Sequence, residues 1–270
     1  MDTSRLAEFK AWDGYREPFR VFGNLYFVGN REGSSHIIDT GEGLILLDSN
    51  YPHFLCLVID GMKELGLDPA DIKYILHSHG HYDHIGGTRE LIDLYGCKTI
   101  IGREDRDYVN GKVDLTWAKE LGSEYVGMFE PDILLDDGDV FELGNTKIRA
   151  VSTPGHTPGT MSYFFNVTDG EKTYTAAMFG GAGLNSMKIK FLESYGLPMS
   201  YREDFGVSLK KVWNEKVDIA IGNHIGDVDT KGKFERIKAG DSDAFVDASA
   251  WEKQLIFYKK RYDEMIESGE

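Results

Sequence analysis

The chain has 270 residues, 41% of them apolar and 28% charged, with a formal net charge of −15. That composition belongs to a water-soluble fold with a sizeable core, arranged as one large domain or two small ones. So much acid argues against nucleic acid and anionic membrane surfaces as partners, because both need clustered Lys and Arg. A small-molecule substrate is the expected partner, with the oligomeric state left open. No window approaches the ~18 consecutive apolar residues of a membrane span. The segment Met1-Asp2-Thr3-Ser4-Arg5-Leu6 lacks the basic start and apolar run of a signal peptide. A cytoplasmic location is therefore expected, or a periplasmic or secreted one if a leader has been removed. Cys56 and Cys97 sit in apolar surroundings without a Cys-x-x-Cys pair, and both read as buried free thiols.

In chain order, residues 19–28 read as a hairpin turning at Gly23-Asn24. Residues 35–39 and 44–47 are short strands about a turn at 40–43. Residues 51–65 read as a helix closed near Gly66. Residues 73–76 form a buried strand that runs straight into a histidine-rich segment. A helix follows Gly86-Gly87 as far as Gly96, and 98–101 returns as a strand. The pattern then becomes β-rich, with strands at 133–135, 139–143 and 147–151 and a pair at 161–167 and 172–179 around Thr168-Asp169-Gly170. Residues 201–215 read as an amphipathic helix and 217–221 as a strand. In the last element, 247–268, Trp251, Leu255, Tyr258, Tyr262 and Met265 recur at steps of four and three, one face of a helix, with Asp247 as its expected N-cap. The order suits two packed sheets with helices outside each.

The segment His77-Ser78-His79-Gly80-His81-Tyr82-Asp83-His84 gathers four of the eight histidines and a carboxylate into eight residues. Crowded imidazoles repel when protonated and add little to a core. A transition metal removes that conflict, because neutral imidazole nitrogen and carboxylate oxygen are its ligands. His79, His81, Asp83 and His84 have useful spacing, since i and i+2 side chains converge in an extended loop. Two further histidines lie among turn residues at strand ends: His156 in Thr153-Pro154-Gly155-His156-Thr157-Pro158-Gly159, and His224 in Ile221-Gly222-Asn223-His224-Ile225-Gly226-Asp227.

His-x-His-x-Asp-His, then Pro-Gly-His-Thr-Pro-Gly, then a lone late His resembles the signature set of the metallo-β-lactamase superfamily. Residues 18–29 and the Phe245-Val246-Asp247 lead into the final helix are similar to the third subclass of metallo-β-lactamases and its relatives. The resemblance covers nearly the whole chain. It implies one α/β domain over 1–270, a four-layer αβ/βα sandwich of two mixed β-sheets with helices on the outer faces. It also implies a binuclear centre of two Zn2+, with His79, His81 and His156 on the first ion and Asp83, His84 and His224 on the second. A hydroxide bridging the ions would attack an amide carbonyl, with Asp83 orienting it. The di-iron oxidoreductases of this fold carry a carboxylate where His81 stands. They also bridge their ions with an aspartate on a later strand, as do hydrolases of the glyoxalase II and lactonase type. Here no Asp or Glu lies between Glu171 and Glu193, which favours zinc in a three-plus-three arrangement.

Around the expected ligands, Asp48 is a candidate acceptor for a ligand imidazole. His77 is expected beside the site and not in it, and Tyr82 is placed to face substrate. Lactamases of this subclass bind the drug carboxylate with serines after the strand that here ends Phe179-Gly180-Gly181-Ala182-Gly183-Leu184-Asn185. Glycines replace them, with Asn185, Ser186, Lys188 or Lys190 as possible substitutes. The loop 110–130, with Trp117 and Tyr125, is a candidate substrate wall. The leading expectation is a zinc β-lactamase of the third-subclass type. The alternatives are a cytoplasmic hydrolase of the same fold acting on another amide, lactone, ester or phosphodiester, and a metal-binding redox protein.

Overall fold

The computed structural model describes residues 3–270, which form two mixed sheets with helices on their outer faces. The first sheet has seven strands in chain order: β1 (Phe19–Phe22), β2 (Leu25–Phe27), β3 (His36–Asp39), β4 (Leu44–Leu47), β5 (Ile72–Leu76), β6 (Lys98–Gly102) and β7 (Ile133–Leu135). β1 to β4 are antiparallel neighbours, and β4 to β7 run parallel. The second sheet contains β8 (Val140–Leu143), β9 (Thr146–Ser152), β10 (Met161–Thr168), β11 (Thr173–Met178) and β12 (Ile219–Ile221), ordered β12-β11-β10-β9-β8. β11 and β12 are parallel, the other pairs antiparallel.

The period-two pleat decides which layer each side chain joins. On β4, Ile45 and Leu47 face the other sheet with Phe27, Ile38, Leu76 and Ile100, and meet Ile148, Tyr163, Phe165 and Met178 there. The alternate residues Leu44 and Leu46 face outward onto Leu55, Val58, Ile59 and Met62 of α2 (Leu55–Glu64), after α1 (Leu6–Ala11). The second sheet repeats this arrangement. Its outer residues Val151, Phe164, Ala177 and Ala220 pack on Phe205 and Leu209 and on Trp251, Leu255 and Tyr258 of the last helix. Strands buried on both faces explain the unbroken apolar runs of β4 and β12.

The remaining helices are α3 (Tyr82–Ile85), α4 (Thr88–Tyr95), α5 (Arg106–Val109), α6 (Ile189–Tyr195), α7 (Ser200–Val212), α8 (Thr230–Lys238) and α9 (Ala250–Ser268). The expected helix over 51–65 opens instead as a tight turn, Pro52–Phe54, before α2 begins at Leu55. Asp247 does not cap α9. Its carboxylate folds onto the N–H and hydroxyl of Ser249, so the chain makes one more turn and the helix starts at Ala250. The short helices α1, α3, α5, α6 and α8 have too few turns to show a periodic stripe in sequence. The segment 136–138, read as a turn between consecutive strands, carries the chain from one sheet to the other.

β4, β5 and β6 run parallel, and so do β9, β11 and β12. The carboxyl ends of β4, β5, β9, β11 and β12 all open on one edge of the sandwich, the usual place for a site in a parallel sheet. Among the described residues, no helix is long and apolar enough to cross a membrane.

His36 on β3 lies in the interior, edge-on to Phe27, with its Nδ1 lacking a hydrogen-bond partner. Burial pushes its pKa from 6.5 down to about 4. The unfolded chain therefore binds a proton that the folded chain refuses. Stability is complete above the unfolded value and falls as pH drops toward the folded one, by about 1.4 kcal/mol per pH unit. Urea midpoints measured between about pH 7 and about pH 4.5 should fall less steeply for His36→Gln than for the unsubstituted protein.

Candidate metal centre

The strand β5 ends at Leu76 and the chain bends through Ser78, His79 and Gly80 before His81, whose φ and ψ are −84° and 152°. That bend brings the rings of His79 and His81 together, 4.8 Å apart. The single turn of α3 then rotates Asp83 and His84 to an adjoining position. His156 arrives on the loop after β9, and His224 on the loop after β12.

The six side chains meet in two adjoining groups. His156 Nε2 lies 2.9 Å from His81 Nδ1 and 3.1 Å from His79 Nε2. Asp83 Oδ2 lies 3.0 Å from His84 Nε2 and 3.3 Å from His224 Nε2. His79 borders both groups, for its ring is 4.2 Å from that of His84 and 4.5 Å from that of His156. His79, His81 and His84 are buried, while His224 stands 42% exposed, which marks the open side of the centre.

The far nitrogens decide what the near ones can do. His79 Nδ1–H donates to the Gly180 carbonyl at 2.8 Å, His156 Nδ1–H to the Gly183 carbonyl at 2.6 Å, and His224 Nδ1–H to the Glu32 carbonyl at 3.1 Å. His84 Nδ1–H donates to Asp48 Oδ2 at 2.8 Å. A neutral imidazole carries one N–H, so the Nε2 atoms of neutral His79 and His156 present bare lone pairs to the centre. Burial holds His79 and His81 well below the usual histidine range and lowers His156 to about 4. Burial also opposes charge on His84, but the carboxylates of Asp83 and Asp48 overcome it and raise its pKa. Burial pushes Asp83 up, yet the surrounding His84, His224 and His81 hold it well below the carboxylate range.

The arrangement crowds the ring nitrogens of His79, His81 and His156 against one another at contact distance, with the Asp83 carboxylate beside them between His84 and His224. Such a set is repulsive unless a cation occupies its middle, and N/O donors of this kind suit zinc. His79, His81 and His156 can hold one ion, and Asp83, His84 and His224 can hold a second beside it. His79, Asp83 and His84 also offer one atom each within 4.8 Å of one another, as do His79, His81 and His156.

Asp48 sits at the end of β4 with φ of 57°, a strained conformation for aspartate. Its carboxylate accepts from the Ser78 N–H, from the Ser78 hydroxyl and from His84. His77 turns away from the centre: its Nδ1–H donates to the Ile100 carbonyl and its Nε2 accepts from Thr88. Tyr82 lines a cleft of about 760 Å³ together with Trp12, Glu32, Tyr51, His53 and Phe54. Asn185 is exposed, and its neighbour Ser186 donates to the His156 carbonyl at 2.6 Å. Trp117, held at φ of 68°, places its ring 5.9 Å from His81 and 4.7 Å from Phe191. Ser186, expected as a possible contact to a substrate carboxylate, instead donates to the His156 backbone, and the carbonyl partners and the buried carboxylate of Asp105 have no signature in the sequence. Backbone acceptors have no residue signature, and Asp105 lies in an acidic run that reads as solvated.

The loop after β11 lies flat against His156. A Cβ on Gly181 would fall 2.6 Å from His156 Cδ2, and one on Gly183 2.8 Å from its Cε1. Glycine is needed at both positions so that the Gly183 carbonyl can reach the ring.

Comparison with known proteins bears on the family and the fold. The sequence pattern of the metallo-beta-lactamase superfamily matches residues 19–169. The fold is similar to that of FEZ-1, a metallo-beta-lactamase from Legionella gormanii, with a TM-score of 0.86 and 28% identity over 95% of this chain and 97% of that one. It is also similar to BJP-1, a subclass B3 metallo-beta-lactamase of Bradyrhizobium japonicum, with a TM-score of 0.85 and 26% identity over 96% of this chain and 97% of that one. A hydroxyacylglutathione hydrolase of Pelagibacter ubique is 29% identical over 135 residues, 44% of this chain and 47% of that protein. The chain thus spans less than half the length of that curated relative.

Gly181→Ala should displace the His156 ring and weaken zinc binding by about tenfold or more, in the range of a lost supporting contact. Competition with a chromogenic chelator measures it, and circular dichroism should show the fold retained.

Proposed function

Because the chain belongs to the metallo-beta-lactamase superfamily, we propose that it is a binuclear zinc hydrolase that opens a cyclic amide in the manner of a β-lactamase. The observation that carries this reading is the convergence of five histidines and Asp83 in two adjoining groups. The full-length likeness to FEZ-1 and BJP-1 supports the choice of substrate. When bound, two zinc ions supply Lewis acidity toward a carbonyl oxygen and a nucleophilic water at neutral pH.

The protein's residues do the rest. His79, His81 and His156 stay neutral and oriented because burial and the Gly180 and Gly183 carbonyls hold them so. Asp83, ionised and close to His84 and His224, accepts a hydrogen bond from the attacking water and aims its lone pair at the substrate carbon. His224 and Asp83 stand on the accessible side, so the scissile group enters there. Tyr51 and Tyr82, 5.7 Å apart, flank that entrance, and Trp117 walls the side of His81. No serine or cysteine nucleophile is required, and no covalent intermediate forms.

A second reading, hydrolysis of another amide, lactone, ester or thioester, is favoured by one observation. The glycines at 181 and 183 are committed to His156, and they leave no side chain on that rim to meet a substrate carboxylate.

Purified protein should bind about two zinc ions per chain, measured by elemental analysis, and hydrolyse a chromogenic cephalosporin. Iron in place of zinc would defeat the reading, as would rates unchanged after chelation. Hydrolysis of a thioester or lactone panel without cephalosporin turnover selects the second reading. His156→Ala and His224→Ala should each lower kcat/KM by more than the roughly 10–100-fold cost of losing a supporting hydrogen bond.

A further inference from the structure

Asp105 closes the turn Arg103–Asp105 after β6 and is completely buried. Its Oδ2 accepts from the Gly80 N–H at 2.7 Å and from the Thr157 hydroxyl at 2.6 Å. Its Oδ1 accepts from the Gly159 N–H at 2.7 Å. Gly80 lies between His79 and His81, and Thr157 follows His156. One carboxylate thus holds, through short bonds, both loops that carry the first ligand group. The fit is close, for a Cβ on Gly159 would fall 2.4 Å from the Asp105 nitrogen.

We propose that Asp105 is a positioning residue that sets the separation of His79 and His81 from His156, and so the geometry and retention of the metal ion they hold. The proposal rests on the metal reading given above and adds to it a residue that touches none of the ligands. Other bonds hold the two segments further back, the Met161 N–H on the Ser78 carbonyl and the Tyr163 hydroxyl on the His77 carbonyl, but Asp105 joins them next to the ligands themselves, between Gly80 and Thr157. A buried carboxylate is costly, and burial raises the pKa of Asp105 to about 6. Three hydrogen bonds to an ionised acceptor offset that cost. No arginine or lysine is needed, because the partners are backbone N–H groups and a hydroxyl.

The chemistry predicts a graded series. Thr157→Ser keeps the hydroxyl and all three bonds. Thr157→Val keeps the shape and removes one bond. Asp105→Asn keeps the shape, but both carboxylate oxygens face N–H groups, so its amide nitrogen must point at a donor. Zinc release from the loaded enzyme to a chelator, and the visible spectrum of the cobalt-substituted enzyme, are read beside the urea midpoint of each protein without metal.

Zinc release is expected to match the unsubstituted enzyme in Thr157→Ser, to quicken in Thr157→Val, and to quicken about tenfold or more in Asp105→Asn. The cobalt spectrum should shift in the same order. Release rates and spectra unchanged in Thr157→Val and Asp105→Asn overturn the proposal, as does faster release that merely follows the loss of metal-free stability across all three variants. If Asp105→Asn fails to fold, Thr157→Val against Thr157→Ser decides. An unsubstituted protein that takes up no zinc overturns the metal reading itself, which separates the two failures.

Discussion

Imidazole rings crowded nitrogen to nitrogen impose the main constraint on this molecule. The neutral rings of His79 and His156, Nε2 toward Nε2 at 3.1 Å with His81 2.9 Å from the latter, are not a stable core element. They are held there because the far nitrogens of His79 and His156 are already engaged by the Gly180 and Gly183 carbonyls, as are those of His224 by Glu32 and of His84 by Asp48. The tautomers are therefore decided from outside the centre. The loops that supply the carbonyls are as much a part of the site as the histidines.

That requirement explains the architecture better than the apolar layers do. The acceptors come from segments at 32, 48, 180 and 183, and the rings from 79 to 84, 156 and 224. Only a fold that brings the carboxyl ends of strands from two sheets to one edge can assemble them. The first sheet supplies Asp48 after β4 and the ligand loop after β5. The second supplies His156 after β9, the glycine loop after β11 and His224 after β12. Packing between the sheets then sets the distance between the two sets of ligands, and Ile45, Leu47 and Leu76 meeting Tyr163 and Met178 become determinants of metal geometry. Tyr163 joins these roles directly, since its hydroxyl donates to the His77 carbonyl at 2.6 Å, just before the ligand loop.

Side chains with unusual chemistry were legible in the sequence, and so were strongly periodic elements. The six converging residues, the role of Asp48 beside His84, and the stripe of Trp251, Leu255 and Tyr258 on α9 follow from residue type and spacing. The supports were not legible, for physical reasons. A carbonyl oxygen is present at every residue, so nothing marks Gly180 or Glu32 as an acceptor. Asp105 stands in Glu104-Asp105-Arg106-Asp107, which reads as a solvated acidic patch. Only the fold shows that one of these carboxylates turns inward while Arg106 pairs with Glu130 at the surface. Asp247 failed as a cap because an Asx turn onto Ser249 competed for the same carboxylate. Helices of one or two turns, such as α3, form because the ends of the chain around them are held by tertiary contacts, here the Tyr82 N–H on the Thr116 carbonyl.

That last contact links the ligand loop to the outer wall of the site. The Thr116 carbonyl fixes the segment leading into Trp117, whose backbone is kept at a positive φ that costs on the order of 1–3 kcal/mol for a bulky residue. Strain of this kind persists only where surrounding contacts over-determine it, and here Phe191 and His81 bracket the indole. On the opposite flank, Trp12 stacks on Phe54 at 5.0 Å, and Tyr51 meets Tyr82 edge-on. The metal centre therefore lies between two aromatic walls drawn from distant parts of the chain, with His224 and Asp83 at the gap. A substrate that reaches Asp83 past Tyr51 and Tyr82 meets these rings together with the charged side chains of Arg5, Glu8 and Glu32 that line the same cleft. Selectivity would then come from both the shape and the charge of the groups beside the scissile bond.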